Sequence, residues 1–365
     1  MTQFRDEIGS VERGVRVRAR GVGSNAVGRF EAASRVAVDD GWEMPQDERL
    51  LRTEVRVERA RTAISYNASP DLPFDRSVNP YRGCEHGCAY CYARPSHAFL
   101  NLSAGLDFET KLVARPGIGA VLDGELRARG YKVGVIAIGT NTDPYQPVEA
   151  QYGVMREVLE VLAAHNHPVA ITTKGALIER DLDILGPMAV RGLVRVGVSM
   201  TTLDAGLSRR LEPRAPAPAR RLVMIARLAD AGVPVRVMVA PVIPGLTDAE
   251  MEGIMAAAQG AGAVAASWIM LRLPGEVEGL FRDWLAQHVP GRAEKVLARL
   301  AELHGGAVYY AAFGTRMRGR GVWADLMARR FEAARTRLGL ALRLDPLRCD
   351  LFTPPVRVGD QLRLF

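Results

Sequence analysis

The stretch NPYRGCEHGCAYCYARP sets Cys84, Cys88 and Cys91 in one short loop, and these are three of only four cysteines in 365 residues. Gly83 and Gly87 precede the first two thiols, and a backbone without Cβ atoms can curl around a bulky object. A closed structural metal site takes four protein ligands, so three thiolates leave a position open. Two occupants suit the spacing. An iron–sulfur cube takes one thiolate per iron, and three would leave one iron available to something else. Zinc would need a fourth ligand: His97 is possible, whereas His86, between Cys84 and Cys88, would make a cramped chelate.

So few cysteines are not a secreted disulfide framework. The start, MTQFRDEIGSVERGVRVRAR, is charged and lacks an apolar signal core. No apolar run approaches the roughly 20 residues of a membrane span. A cytoplasmic protein with no membrane partner is therefore expected. The formal charge of +7 raises the question of a polyanion, but only four of the 48 basic residues are lysine. That arginine skew is what a GC-rich genome gives, so the charge alone selects no partner.

At 365 residues the chain exceeds the span of one ordinary core, and four regions are predicted. Residues 1–62 alternate arginine with acids around RGVGSNAVGRF and show no sustained period. They read as an extension, partly disordered, wrapping the core. Residues 63–275 carry the runs VGVIAIG, PVAITTKG, LVRVGVSMTT, VPVRVMVAPVIPG and ASWIMLRLPG, each bounded by turn residues as buried strands are. Helical patterns lie between them. In EAQYGVMREVLEVLAAH, the residues Val154, Met155, Val158, Leu159 and Leu162 share one face, and two later helices stop at glycine. Strand–helix alternation implies parallel strands. With one more strand leading into the cysteine loop at 79–95, about six units result, so the fold class is α/β with a partial (β/α)6 barrel. Residues 276–343 read as a C-terminal helical layer and 344–365 as a tail.

The C-x3-C-x2-C spacing followed by an aromatic residue resembles the signature of radical S-adenosylmethionine (SAM) enzymes. The wider run, with NTDPYQPVE, TTKG, SMTTLD, EPR and APVIPGLTD in order, resembles the spore photoproduct lyase-like branch, closest to a bacterial group labelled "DNA repair photolyase". The resemblance covers the chain from about residue 25 onward. It implies a partial barrel and a 4Fe-4S cluster held by Cys84, Cys88 and Cys91, with SAM on the open iron. It implies reductive cleavage of SAM to a 5′-deoxyadenosyl radical, with a flavodoxin or ferredoxin as electron donor. Such barrels place chemistry at the carboxyl ends of their strands. There the resemblance nominates Thr140, Asn141, Thr142 and Asp143 for the SAM amino group. Lys174 and Arg214 are nominated for its carboxylate, Ser199 for a polar contact, and Val242 and Ile243 as apolar walls for adenine. Asp143 also suits a turn cap before Pro144, Arg214 a salt bridge to Glu212 or another acid, and Val242 and Ile243 a buried strand. Tyr90, Tyr92 and Tyr145 are candidates to relay a hydrogen atom, or to pack with one hydrogen bond each.

Spore photoproduct lyase returns a hydrogen atom from a cysteine some tens of residues after the cluster loop, but here no cysteine occurs between Cys91 and Cys349. Cys349 would substitute only if the tail folded over the barrel mouth; a buried thiol is the plainer expectation. The ending QLRLF resembles the peptide that binds the polymerase sliding clamp. Gln361 would sit in a polar subsite and Leu362, Leu364 and Phe365 in an apolar pocket, or the leucines would dock on the core. Arg316, Arg318, Arg320 and Trp323 could meet phosphates and a base of DNA or RNA, or form an ordinary basic helix face. Three functions remain open on these residues: radical chemistry on nucleic acid, radical chemistry on a peptide or metabolite, and a non-catalytic redox sensor.

Overall fold

The computed structural model describes residues 19–25, 30 and 51–356. The clamp-like residues Gln361, Leu362, Leu364 and Phe365 lie outside them, as does most of the N-terminal extension. Ten strands occur in the order β1 (Glu54–Val57), β2 (Ile64–Tyr66), β3 (Arg76–Val78), β4 (Tyr81–Arg82), β5 (Lys111–Ala114), β6 (Ile136–Ile138), β7 (Val169–Thr173), β8 (Val194–Met200), β9 (Val235–Val242) and β10 (Ala265–Met270). Seven of them form one sheet in the order β10-β9-β8-β7-β6-β3-β2. Every pair from β3 to β10 in this sheet is parallel. Only β2 runs antiparallel, beside β3. Six parallel strands in a sheet that ends at β10 and β2 without closing are the expected partial barrel, and the outer edge of β10 takes a parallel bridge from Ala341. The alternate residues Val194, Val196, Val198 and Met200 of β8 are at most 1% exposed, as suits a strand sandwiched between layers.

The helices are α1 (Leu106–Thr110), α2 (Ile118–Leu126), α3 (Glu149–Tyr152), α4 (Val154–Ala164), α5 (Leu182–Val190), α6 (Ala205–Leu211), α7 (Pro218–Asp230), α8 (Met251–Gly260), α9 (Val277–His288), α10 (Pro290–Leu303) and α11 (Val322–Arg337). One predicted helix is two. The pattern from Glu149 breaks at Gly153, which takes φ +63°, and the Glu149 carboxylate accepts the freed amide of Met155 at 2.9 Å. The apolar face beyond the break is as read: Val154, Met155, Val158, Leu159 and Leu162 are wholly buried. Among the described residues no helix is long and apolar enough to cross a membrane.

A second sheet, β1-β5-β4, was not legible in the sequence. β1 lies in the extension and pairs parallel with β5 through its backbone, while its side chains stay mostly exposed, so no burial period marks it. β4 pairs antiparallel with β5. The cysteine loop leaves β4 and returns through α1 into β5, so this small sheet ties both of its ends.

After α11 the chain crosses to the amino ends of the parallel strands. Arg348 N donates to Gly192 O (3.0 Å) just before β8, and Thr353 N to His165 O (2.9 Å) just before β7. Phe352 packs its ring on His165 and His167. Cys349 therefore sits at the end of the barrel opposite the cysteine loop, and it is half-buried, where a buried thiol was expected.

Replacing Leu159 by Ala removes buried methyl groups from the α4 face. It should lower unfolding free energy by about 2–5 kcal/mol, read from urea denaturation.

Candidate functional site

The cysteine loop has almost no regular structure, so its peptide groups need partners from elsewhere. Arg94 is wholly buried and supplies several. Its Nε and Nη2 donate to Cys88 O at 3.0 and 2.9 Å, and its Nη1 to Ala104 O and Gly105 O at 3.1 and 2.9 Å. Its charge is met by the equally buried Glu109. Gln146, also fully buried, accepts from Glu85 N (2.8 Å) and donates to Gly83 O (3.1 Å). Cys84 N donates to Phe108 O and Ala89 N to Leu211 O, each at 2.9 Å. The extension closes the back of the loop: Gly21 N donates to Glu109 Oε2 and Arg20 Nη1 to Glu109 O, both at 2.9 Å. A Cβ on Gly21 would lie 1.6 Å from Gly87 O, so only glycine admits this approach.

The three thiols are free; Cys84 and Cys88 are buried and Cys91 half-buried. Burial pushes all three up, Cys88 to about 12, while the Lys174 charge pulls Cys88 back down. Three mutually interacting thiols with no disulfide among them, two of them buried, make a donor set suited as thiolates to a positively charged core. Among the described residues no three His, Cys, Asp or Glu side chains gather to hold a single metal ion. Neither histidine completes a zinc site. His97 Nε2 is 2.9 Å from Lys111 O with its ring edge-on to Phe108, and His86 Nδ1 lies 3.3 Å from Asp143. The residues fit an iron–sulfur cluster, which spans a wider donor set than one ion does.

Asp143 does not serve an ammonium. Its Oδ1 accepts from Thr173 Oγ1 (2.6 Å) and Tyr145 N (2.9 Å), and its Oδ2 from Lys174 N (2.7 Å), with His86 Nδ1 beside it. The four acceptor directions of a carboxylate are thereby used. Burial works to raise its pKa, but these partners hold it at about 2. Thr142 is also internal, donating to Tyr81 O at 3.1 Å. Thr140 offers its carbonyl to the Tyr92 hydroxyl, and Asn141 reaches only Ser96 Oγ at 3.4 Å.

A second buried network lies across the cysteines. Lys174 Nζ donates to Ser199 Oγ (2.8 Å), which donates to Ala240 O (2.9 Å). Lys174 also stands 3.8 Å from Glu212 Oε1. Glu212 pairs with the buried Arg221 and accepts from the Tyr90 hydroxyl and from Thr201 Oγ1 (3.0 Å). Burial acts to raise Glu212, but the Arg221 and Lys174 charges hold it at about 2. Arg214 pairs with Glu85 at 3.0 Å, not with Glu212, and its N donates to His86 O. The EPR run thus braces the cysteine loop.

Other nominees are placed as follows. Tyr90 is buried, with its hydroxyl bonded to Glu212 and Thr201. Tyr145 is buried in the main apolar core, a different cluster from those that contain Cys84 and Cys88. Tyr92 is partly exposed, with the Arg272 guanidinium 4.5 Å from its ring centre. Val242 and Ile243 are 1% and 0% exposed, as the buried-strand reading has them; Val242 belongs to the main core and Ile243 shares an apolar cluster with Cys88, Ala89 and Tyr90. The basic run is largely engaged: Arg316 bonds Asp71 (2.6 Å) and Ser69, and Arg318 stacks on Trp268. Trp323 instead carries Arg299 on its face, 5.0 Å from the ring centre. Sequence reading missed Arg94, Glu109, Gln146, Arg221 and Arg272. No local pattern marks them: Gln146 and Arg272 act on partners distant in the chain, and Arg94, Glu109 and Arg221 meet theirs through irregular segments that follow no helix or strand period.

The profile of the radical SAM superfamily matches residues 78–258. An uncharacterised protein of Mycobacterium tuberculosis is 37% identical over 279 residues, which cover 76% of this chain and 80% of that one. An uncharacterised protein of Methanocaldococcus jannaschii is 24% identical over 173 residues, 47% of this chain and 62% of that one. Among solved structures, a point mutant of spore photoproduct lyase superposes with TM-score 0.58 at 14% identity, covering 78% of this chain and 80% of that one. The same lyase complexed with dinucleoside spore photoproduct gives TM-score 0.57 at 15% identity and the same coverage.

Removing one partner of the buried Arg94–Glu109 pair, as in Glu109→Gln, should cost about 3–5 kcal/mol and lower bound iron per chain after reconstitution, measured by denaturation and metal analysis. Glu212 has a depressed pKa, so its contribution to stability is complete above about pH 4.5 and is lost as pH falls toward its native value of about 2. Urea midpoints between pH 7 and 3 should fall more steeply for the wild type than for Glu212→Gln, which starts lower.

Proposed function

The chain belongs to the radical SAM superfamily, and on that premise we propose that this enzyme cleaves SAM reductively at a 4Fe-4S cluster and acts on a nucleic acid. The observation that carries the first part is the trio of free thiols, two of them buried, on a loop whose backbone is already fixed by Arg94 and Gln146. Cys84, Cys88 and Cys91 would hold the cluster. Loaded and reduced, the site would supply one chemistry: one electron from the cluster would split the SAM sulfonium into methionine and a 5′-deoxyadenosyl radical able to take a hydrogen atom from the substrate. Membership of this enzyme family sets aside a purely sensing role.

Within the SAM set nominated from sequence, Lys174 and Asn141 keep donors for a ligand. The Lys174 ammonium has three hydrogens and one close acceptor, Ser199 Oγ. Asn141 has one long bond. Ser199 and Glu212 orient Lys174 toward the thiols, and the apolar cluster of Leu207, Leu211, Ile243, Leu271 and Leu273 beside Cys88 keeps water from that side.

Support for a nucleic-acid substrate comes from the loop after β9. Arg292, Lys295, Arg299 and Trp323 line a cleft of about 230 Å³ against Gly245–Ala249, with Asp248 the one carboxylate in its lining. Three cations in one cleft suit the phosphates of a strand, and the half-buried Trp323 indole, capped by Arg299, is the aromatic group beside them. The fold is also that of a lyase solved with a dinucleoside photoproduct. Photoproduct reversal with a cysteine hydrogen donor is not proposed, because Cys349 stands at the far end of the barrel.

Anaerobic reconstitution with iron and sulfide, followed by dithionite and SAM, should yield 5′-deoxyadenosine, and Cys88→Ser should abolish both the product and the cluster absorption. A wild-type protein that binds iron yet cleaves no SAM would refute the reading. For the substrate, Arg292→Glu/Lys295→Glu should weaken binding of a DNA oligonucleotide about tenfold or more and flatten its dependence on salt, read by fluorescence anisotropy.

A further inference from the structure

The small sheet that holds the cysteine loop carries a second basic cleft, of about 410 Å³, lined by Glu58, Arg59, Arg61, Thr62, Arg82 and Arg115. Four guanidiniums there face one carboxylate. Glu58 meets Arg82 only at 3.5 Å and Arg56 at 3.7 Å, distances too long for strong charge-assisted bonds. Among the described residues Arg59 and Arg61 have no acidic partner.

Arg115 is the telling member. It is 9% exposed, its Nη2 donates to Thr62 O at 2.8 Å, and its Nε is buried without a partner. Burial holds its pKa below the ordinary arginine value, and the neighbouring Arg82 charge adds to this. A buried guanidinium beside a second one, with an unmet donor, is costly unless an anion completes the site. The nearest other acid, Glu125, is already bonded to Ala63 N and Ile64 N, each at 2.9 Å.

We propose that this cleft binds a phosphate group. Its donors come from three segments: the residues after β1, β4, and the residue after β5. Donors arriving from several sides suit a tetrahedral dianion with many acceptor sites, and the arginine fork matches its edges. Arg82 lies two residues before Cys84 and Arg115 directly follows β5, so an occupant here sits against the base of the cysteine loop. The site does not depend on SAM chemistry. Its phosphate could belong to a free phosphorylated molecule or to the strand of a nucleic-acid substrate, and the latter case rests on the substrate reading above.

The test uses the reconstituted full chain in phosphate-free buffer and two probes, inorganic pyrophosphate and a 5′-phosphorylated single-stranded DNA decamer, with affinities from calorimetry. The variant Arg59→Gln/Arg61→Gln alters exposed side chains and should stay folded, which the thermal melt checks. Arg115→Met serves as a second, buried variant. Both variants should weaken both probes about tenfold or more. Loss confined to the decamer assigns the site to a nucleic-acid strand, and loss confined to pyrophosphate assigns it to a small phosphorylated ligand. Equal affinity of folded wild type and variants for both probes, or no binding of either by wild type, overturns the proposal. SAM cleavage measured on the same samples separates this outcome from failure of the catalytic reading.

Discussion

The wholly buried Arg94–Glu109 pair is the constraint on which the site depends. Three thiols can serve a cluster only if no protein group competes for them, yet a loop without regular structure leaves many peptide groups unmet. A single guanidinium resolves both demands by taking the carbonyls of Cys88, Ala104 and Gly105. Glu109 then offsets the desolvation of that charge and captures Gly21 and, through its carbonyl, Arg20. The extension is thereby locked to the loop it covers.

The strand-end motifs follow the same logic. Asp143, Gln146 and Glu149 of TDPYQPVE face inward: onto His86 and Lys174 N, onto Gly83 and Glu85, and onto Tyr81 and Arg180. Arg214 of EPR grips Glu85 and His86. Most polar residues at the barrel mouth are therefore positioning groups. Few side chains are left with donors for a ligand, and Lys174 is prominent among them because its three hydrogens exceed its close acceptors.

The two ends of the barrel are chemically distinct. The carboxyl ends hold the thiols, the Lys174–Glu212–Arg221 network and the Arg272–Tyr92 stack. The amino ends hold the returning tail with Cys349 and Phe352. A hydrogen-donating cysteine is thus missing where the spore photoproduct lyase-like resemblance would place one. Basic clefts at the β9 loop and beside β4 flank the thiol end instead.

The sequence by itself determined the parallel strands, the thiol loop and the α4 face, because these are written in local periodicity, spacing and residue type. Buried strands must be apolar runs, and a chelating loop must bring its ligands close in sequence. It did not disclose β1, whose exposed side chains carry no period, nor the break at Gly153 within an otherwise continuous pattern. Only the tertiary structure decided which carboxylates were free. Asp143, Glu109 and Glu212 look alike in sequence, and their roles came from the partners that folding brings to them, near and far in the chain: His86 and Thr173 for Asp143, Arg94 and Gly21 for Glu109, Arg221 and Tyr90 for Glu212. A side chain's spare hydrogen-bonding capacity depends on everything folded against it, and no local stretch of sequence contains that information.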